Sequence, residues 1–320
     1  METNNNKRLI SLDPREYEHP LDREALNKLE SIPGVKPLFQ KIHKEILEKL
    51  LYIENSGSNI LLTKDNYPRA IEILNEAAKV LDIDLIPPLY VGDSDNINAS
   101  TSGSSKPNIV LTKSALDELD DSELLFLIGH ELGHIKSGHA LYRSISETLM
   151  STLIEVISDI TLGLGSLPAQ GIQIALHKWY RMSEFTADRA GLLACQDLDA
   201  CLRIQLKWSG LPKDANIESF KKGFIKQAKE FKEFDMKNVN KVMKFLSTRK
   251  QTHPYSVLRV SQLIEWKESD DYKNILSRQK VNILPEISSN SEFCPNCGIN
   301  LLKGDKFCGG CGAEIMELIA

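Results

Sequence analysis

Apolar residues recur at helical spacing from Asp22 to Glu54, at Leu26, Leu29 and Ile32 and then at Leu38, Ile42, Ile46, Leu47, Leu50 and Leu51. Side chains three and four apart share one helix face, so the spacing predicts two helices, parted where Ile32-Pro33-Gly34 breaks the pattern. Tyr67 to Leu81 repeats the period and predicts another helix. Pro87 to Val91 and Asn108 to Thr112 (NIVLT) are short apolar runs, the second rich in β-branched residues, and predict strands; Asn98 to Pro107 between them is a Ser/Gly-rich turn. Asp120, Asp121 and Ser122 offer caps for a helical run from Glu123 to about Ser146. Residues 180–195 are helical again, and 214–250 form charged, Lys-rich helices. Residues 1–15 are polar and predict a flexible arm, 16–280 one domain, 281–291 a linker and 292–314 a small separate module. The pattern as a whole predicts an α+β fold, predominantly helical, with a small sheet.

Leu149, Met150, Leu153, Ile154, Ile157, Ile160 and Leu164 make a further apolar stripe. Glu155 and Asp159, then Gly163, Gly165, Pro168 and Gly171, interrupt it too often for a spanning helix, which needs about 20 apolar residues. The stripe is expected to pack on the protein's own core or a second subunit, with contact to a membrane surface as the other reading.

Composition narrows this picture. Hydrophobic residues at 42% and charged residues at 26% exclude wholesale disorder, and 320 residues suffice for a large core. Thirty-nine Lys+Arg against 44 Asp+Glu, a net charge of −5, leave no basic field for wrapping nucleic acid. The polar start METNNNKRLISLDP does not resemble a secretory leader, so the expected location is cytoplasmic, with a peripheral place at the inner face of a membrane left open. In a reducing compartment clustered cysteines more often hold metal than form disulfides.

The chemistry centres on Gly129-His130-Glu131-Leu132-Gly133-His134. On a helix, the i, i+4 spacing stacks His130 and His134 on one face, where both rings reach one ion. Glu131 lies about 100° around, placed to reach a water on that ion without ligating it. A catalytic zinc takes a third protein ligand and leaves its fourth position for water. The candidate is Glu184 in Ser183-Glu184-Phe185-Thr186-Ala187-Asp188-Arg189, with Asp188 on the same face to accept the free ring N–H of a ligand histidine, by preference His130. His139 points off the zinc face and is expected to be structural, as are Cys195 and Cys201.

GHELGHIKSGH at 129–139 and SEFTADRAG at 183–191 resemble the two zinc helices of the M48 zinc metallopeptidases, the family of HtpX-type and CAAX prenyl proteases. The resemblance runs from about Glu16 to Tyr272 and implies a zincin-like (gluzincin) fold with Glu184 as third ligand. His253 of Thr252-His253-Pro254, with Arg259, is similar to the family's late His-Pro and Arg pair, which implies that the two stabilise the reaction intermediate. Asn98-Ala99 resembles the Asn-Ala before the active helix, which implies polar contacts near the substrate.

In the tail, Cys294-x2-Cys297, ten residues, then Cys308-x2-Cys311 has the spacing of a four-cysteine zinc ribbon, a closed structural site. Two lysines against four acidic residues from Glu292 to Ala320 point the ribbon toward protein rather than nucleic acid. The expected protein is thus a zinc endopeptidase with one catalytic and one structural Zn2+, acting on protein or peptide substrates with Glu131 as general base. The NIVLT strand, at Ile109, Val110 and Leu111, is expected to offer an open edge for an extended substrate. The alternative is a non-catalytic, chaperone-like binding module docking through its ribbon.

Overall fold

The computed structural model describes residues 6–150, 169–212, 214–236 and 254–278. In chain order these form α1 (Pro14–Tyr17), α2 (Pro20–Glu30), α3 (Val35–Ile42), a π-helical turn (His43–Leu47) and α4 (Glu48–Ser58). There follow β1 (Ile60–Leu61), α5 (Pro68–Val80), β2 (Leu89–Gly92), β3 (Ala99–Ser102), β4 (Asn108–Thr112) and α6 (Lys113–Glu118). The zinc-motif helix is α7 (Asp121–Lys136), followed by α8 (Ala140–Met150), α9 (Ala169–Cys195) and α10 (Leu198–Trp208). Helices α11 (Ile217–Met236), α12 (Ser256–Glu268) and α13 (Asp270–Ser277) complete the described chain. It is a mostly helical α+β fold with one four-stranded sheet. The chain divides into a compact unit of residues 1–277 and a second of 278–320. The expected linker at 281–291 and the ribbon cysteines Cys294, Cys297, Cys308 and Cys311 lie outside the described residues.

Helix α7 starts on a capping box: Asp120 accepts from Glu123 N at 2.8 Å, and the Glu123 carboxylate accepts from Asp120 N at 2.9 Å. From Glu123 to His134 every residue is buried, because this helix runs through the centre of the domain with α5, α9 and the sheet around it. Its contact with α9 is unusually close. A Cβ on Gly129 would lie 2.3 Å from the Ala194 Cβ, and one on Gly133 would lie 2.4 Å from that of Ala190. Only glycine permits that approach, and the approach brings the α9 carboxylates within reach of the α7 imidazoles.

The expected helical run to Ser146 is in fact two helices. The backbone turns at Ser137–His139, where Gly138 adopts φ +71°, a conformation that costs a residue with a Cβ more than glycine. The turn has a consequence: it folds His139 back onto His134.

The sheet has the order β1-β2-β4-β3, with β2 and β4 parallel and the outer pairs antiparallel. Two expectations change here. Strand β4 is an interior strand, paired with β2 through Leu89↔Ile109 and with β3 through Ala99↔Leu111, and Ile109 and Leu111 are fully buried. Its backbone groups are satisfied on both sides, so Ile109, Val110 and Leu111 offer no open edge. Part of the polar stretch expected as a turn, Ala99–Ser102, is instead the edge strand β3, since ladder bonds are made by backbone and need no apolar side chains.

The N-terminal segment also departs from a flexible arm. Leu9 and Leu12 are buried in the main core, Leu9 N donates to Val80 O at 2.9 Å, and Asn6 Nδ2 donates to the α9 C-terminal carbonyls of Ala194 and Cys195. Two leucines in a polar segment are enough to anchor it when the helix end beside them has unpaired carbonyls. No helix among the described residues is long and apolar enough to cross a membrane. The stripe from Leu149 to Leu164 lies outside the residues whose side chains are described.

Candidate metal centre

His130 and His134 project from α7 with their Nε2 atoms 3.2 Å apart. From α9, Glu184 Oε2 lies 3.5 Å from His130 Nε2 and Oε1 lies 3.4 Å from His134 Nε2. All three residues are buried. Four ligands at about 2.0–2.1 Å in a tetrahedron are separated by about 3.3 Å; the two nitrogens and the Glu184 carboxylate, with one ligand atom from each residue within 4.8 Å of the others, suit one face of such a site.

Hydrogen bonding identifies which ring nitrogens face that point. Asp188 Oδ1 is 3.1 Å from His130 Nδ1, and the Asp188 carboxylate also accepts two bonds from Arg259, from Nε at 2.7 Å and Nη2 at 2.5 Å. A carboxylate accepts, so Nδ1 carries a proton and Nε2 is the nitrogen turned toward that point. The other histidine is settled by Arg143, whose Nη1 lies 3.0 Å from His134 Nε2; a guanidinium only donates, so that Nε2 bears a lone pair. The proton on His134 Nδ1 then goes to His139 Nδ1 at 3.0 Å, and His139 Nε2 donates to Asp22 Oδ2 at 3.1 Å. The two Nε2 atoms converge at 3.2 Å in a buried site, a separation that a shared proton or a single cation can bridge. The residues fit a zinc ion.

At His130 burial opposes the charged form, but the Asp188 and Glu184 carboxylates outweigh it and raise the imidazole to about 9, so a metal would have to displace a proton there. The other two groups agree with the arrangement directly. Burial opposes the charged form of Asp188, but Arg259 and His130 outweigh it and hold the carboxyl below its ordinary range. Burial and Arg143 keep His134 well below the usual imidazole range, hence neutral, as a metal ligand must be.

Glu131 sits beside the ligands without joining them, its Oε1 4.0 Å from His130 Nε2. Its Oε2 is buried and finds no donor among the described residues, while its backbone carbonyl accepts from Thr101 of β3. A cavity of about 250 Å³ opens on this carboxylate and is lined by His130, Glu131, Glu184, Arg143, Arg259 and Trp208, with Asn98 and Ala99 on the sheet side and Pro254 opposite. The larger hollows of about 800 and 660 Å³ lie around α10 and α11, away from the ligands.

The structure therefore gathers His130, Glu131, Glu184, Arg259, Asn98 and Ala99 around one cavity, with His134 and Asp188 behind its wall in contact with His130. It leaves Ile109, Val110 and Leu111 in the sheet interior, and His253 lies outside the described residues. Arg259 is engaged chiefly with Asp188, and its guanidinium also lies over the Trp208 ring at 4.7 Å. Three participants have no signal in the motif: Asp22 and His139, which back His134, and Arg143. A histidine five residues past His134 was the one available hint of the first pair. Cys195 and Cys201 are free and buried, with Sγ atoms 3.6 Å apart.

Comparison with known proteins gives two family matches, peptidase family M48 over residues 66–267 and a zinc-ribbon domain over 286–315. The chain is 30% identical to the plastoglobule-localized metallopeptidase 48, chloroplastic, of Arabidopsis thaliana over 279 residues, 83% of this chain and 76% of that protein. It is 30% identical over 99 residues to a protease HtpX homolog of Streptococcus uberis, 30% of this chain and 33% of that one. An HtpX homolog of Acidiphilium cryptum is 35% identical over 81 residues, 25% of this chain and 28% of the relative.

Proposed function

This chain belongs to peptidase family M48, a zinc metalloprotease family, and from that premise we propose an endopeptidase in which His130, His134 and Glu184 hold one zinc ion and Glu131 is the general base. The observation that carries the reading is the convergence of three buried ligand residues beside a carboxylate whose Oε2 has no donor among the described residues. Bound there, zinc supplies a Lewis acid for the scissile carbonyl and lowers the pKa of a water toward about 7.

The chain's own residues do the rest. Glu131 takes a proton from the attacking water on its unpartnered Oε2 and returns it to the leaving amine. Arg259, with Nε and Nη2 tied to Asp188, turns Nη1 toward the ligand carboxylate at 3.5 Å, so its charge faces the cavity. With His253 it stabilises the oxyanion, a role often worth a few kcal/mol. An extended peptide is taken along the outer edge of β3, which has no strand partner on that side among the described residues and begins at the cavity wall with Ala99. In the second unit, Cys294, Cys297, Cys308 and Cys311 hold a structural zinc, and the ribbon contacts protein. The cysteine clustering supports a reducing, cytoplasmic setting, with a peripheral place at the inner face of a membrane as the other reading.

Glu131→Gln tests the core of this. The variant should keep two zinc ions per chain by metal analysis and lose 100-fold or more of chelator-sensitive hydrolysis of an unfolded protein, about 10²–10⁴ being usual for a proton-transfer residue. Full hydrolysis in the variant would overturn the assignment; absence of any chelator-sensitive cleavage in the parent would favour the chaperone-like alternative.

A further inference from the structure

Among the described residues Arg143 is the buried cation that touches the ligand set without a role in the reading above. Its side chain reaches inward from α8, and Nη1 lies 2.5 Å from Glu184 Oε1 and 3.0 Å from His134 Nε2. The outer side of the guanidinium is held by weaker contacts. Its centre lies 4.5 Å above the Tyr180 ring, and Nη2 is 3.6 Å from Glu147 Oε1, the oxygen to which the Tyr180 hydroxyl donates at 2.9 Å. Residue 143 is placed there by the Gly138 turn, since α8 opens with Arg143 N donating to the His139 carbonyl at 3.0 Å.

Each ligand thus has its own backing: Asp188 for His130, His139 with Asp22 for His134, and Arg143 for Glu184. A carboxylate ligand needs such a partner more than an imidazole does, because rotation about its last bond exchanges its two oxygens. Arg143 engages only Oε1, and Arg259 faces Oε2 from 3.5 Å, so the carboxylate plane is held from both ends.

We propose that Arg143 is a positioning residue for the zinc ligand Glu184, fixing the carboxylate plane through a guanidinium itself anchored by Tyr180 and Glu147. This rests on the reading that His130, His134 and Glu184 bind zinc. Arg143 acts by orientation: it keeps Glu184 poised, and it gives up His134 Nε2 to the metal while keeping Oε1.

Zinc affinity of the full chain, measured by competition with a chromophoric chelator, tests it. Arg143→Met should weaken the zinc bound outside the ribbon by about 10–100-fold, the range for partners of metal ligands, with Arg143→Lys recovering part of the loss. Tyr180→Leu with Glu147→Gln, which leaves Arg143 in place but removes both the ring and the charge that anchor it, should weaken it several-fold and serves if Arg143→Met does not fold. Zinc held by folded Arg143→Met as tightly as by the parent, or more tightly because a competing cation is gone, overturns the proposal. Equal retention by the double variant overturns it likewise if that variant is the one available. Glu184→Ala separates the two layers: if it keeps all its zinc, the ligand assignment itself is wrong, and the proposal with it.

Discussion

His130 and His134 are four residues apart on one helix, point at the same place, and are backed in different ways. His130 donates to Asp188, a full negative charge tied by two bonds to Arg259. His134 donates to a neutral imidazole, His139, and its carboxylate, Asp22, stands one ring further away. Asp22 in turn accepts from Thr186 at 2.6 Å, and Thr186 accepts from the His19 backbone N–H at 3.0 Å, so the second backing joins α9 to the residues just before α2. A carboxylate in direct contact raises the basicity of a ligand more than one relayed through a ring. One side of the site is therefore a short charged clamp, and the other is a longer, softer relay spread over three parts of the chain.

The largest test of that contrast is Asp188→Asn. It replaces the charged acceptor by a neutral amide and leaves the Arg259 guanidinium buried with its principal counter-charge gone, which should cost about 3–5 kcal/mol in denaturant unfolding and about 100-fold in zinc affinity. His139→Ala cuts the relay instead. Because the lost acceptor is neutral, zinc affinity should fall by about 10-fold, at the low end of the range for such partners; a loss equal to that of Asp188→Asn would erase the distinction between the two backings.

The smallest test is the pH dependence of the relay's far end. His19 accepts from Leu21 N on Nδ1 at 3.2 Å and donates from Nε2 to Gln262 at 2.9 Å, and burial, with Arg189 nearby, pushes it down to about 4. The unfolded chain takes up a proton near the ordinary imidazole value of about 6.5, so the unfolded state binds more protons between that value and the folded one. The stability from a neutral His19 is fully present above about 6.5 and is lost as the pH falls toward 4. His19→Asn should flatten the stability profile over that window by about 1 kcal/mol per pH unit relative to the parent, read from urea unfolding at a series of pH values. An unchanged slope would place the titration elsewhere.

The His130–Asp188 half of the charged clamp was readable in advance; its tie to Arg259 and the relay were not. His130, Glu131 and His134 stand at helical spacing with a capping residue upstream, and Glu184 and Asp188 repeat the spacing on a second helix, so local geometry alone puts each set on one face. Asp22 and His139 are 117 positions apart, and Arg143 and Glu184 are 41 apart. No periodicity links such residues, and a buried Arg or Asp in a helix is indistinguishable by pattern from a solvated one. The sheet shows the same division. NIVLT reads as a strand from its side chains, but whether it is an edge depends on which backbones lie beside it, and a polar segment, Ala99–Ser102, took that edge. The N-terminal leucines were likewise misplaced as an arm, because two apolar residues carry no period.

By itself the sequence determined the family, the two helices that carry the ligands, the ribbon spacing and the mostly helical α+β class, since each rests on contacts within a few residues along one element. The tertiary structure alone decided the backing of every ligand but His130, the edge strand, and the closeness of α7 and α9 at Gly129 and Gly133. Those depend on which surfaces meet across long stretches of chain, where hydrogen-bond partners are chosen by packing and not by spacing.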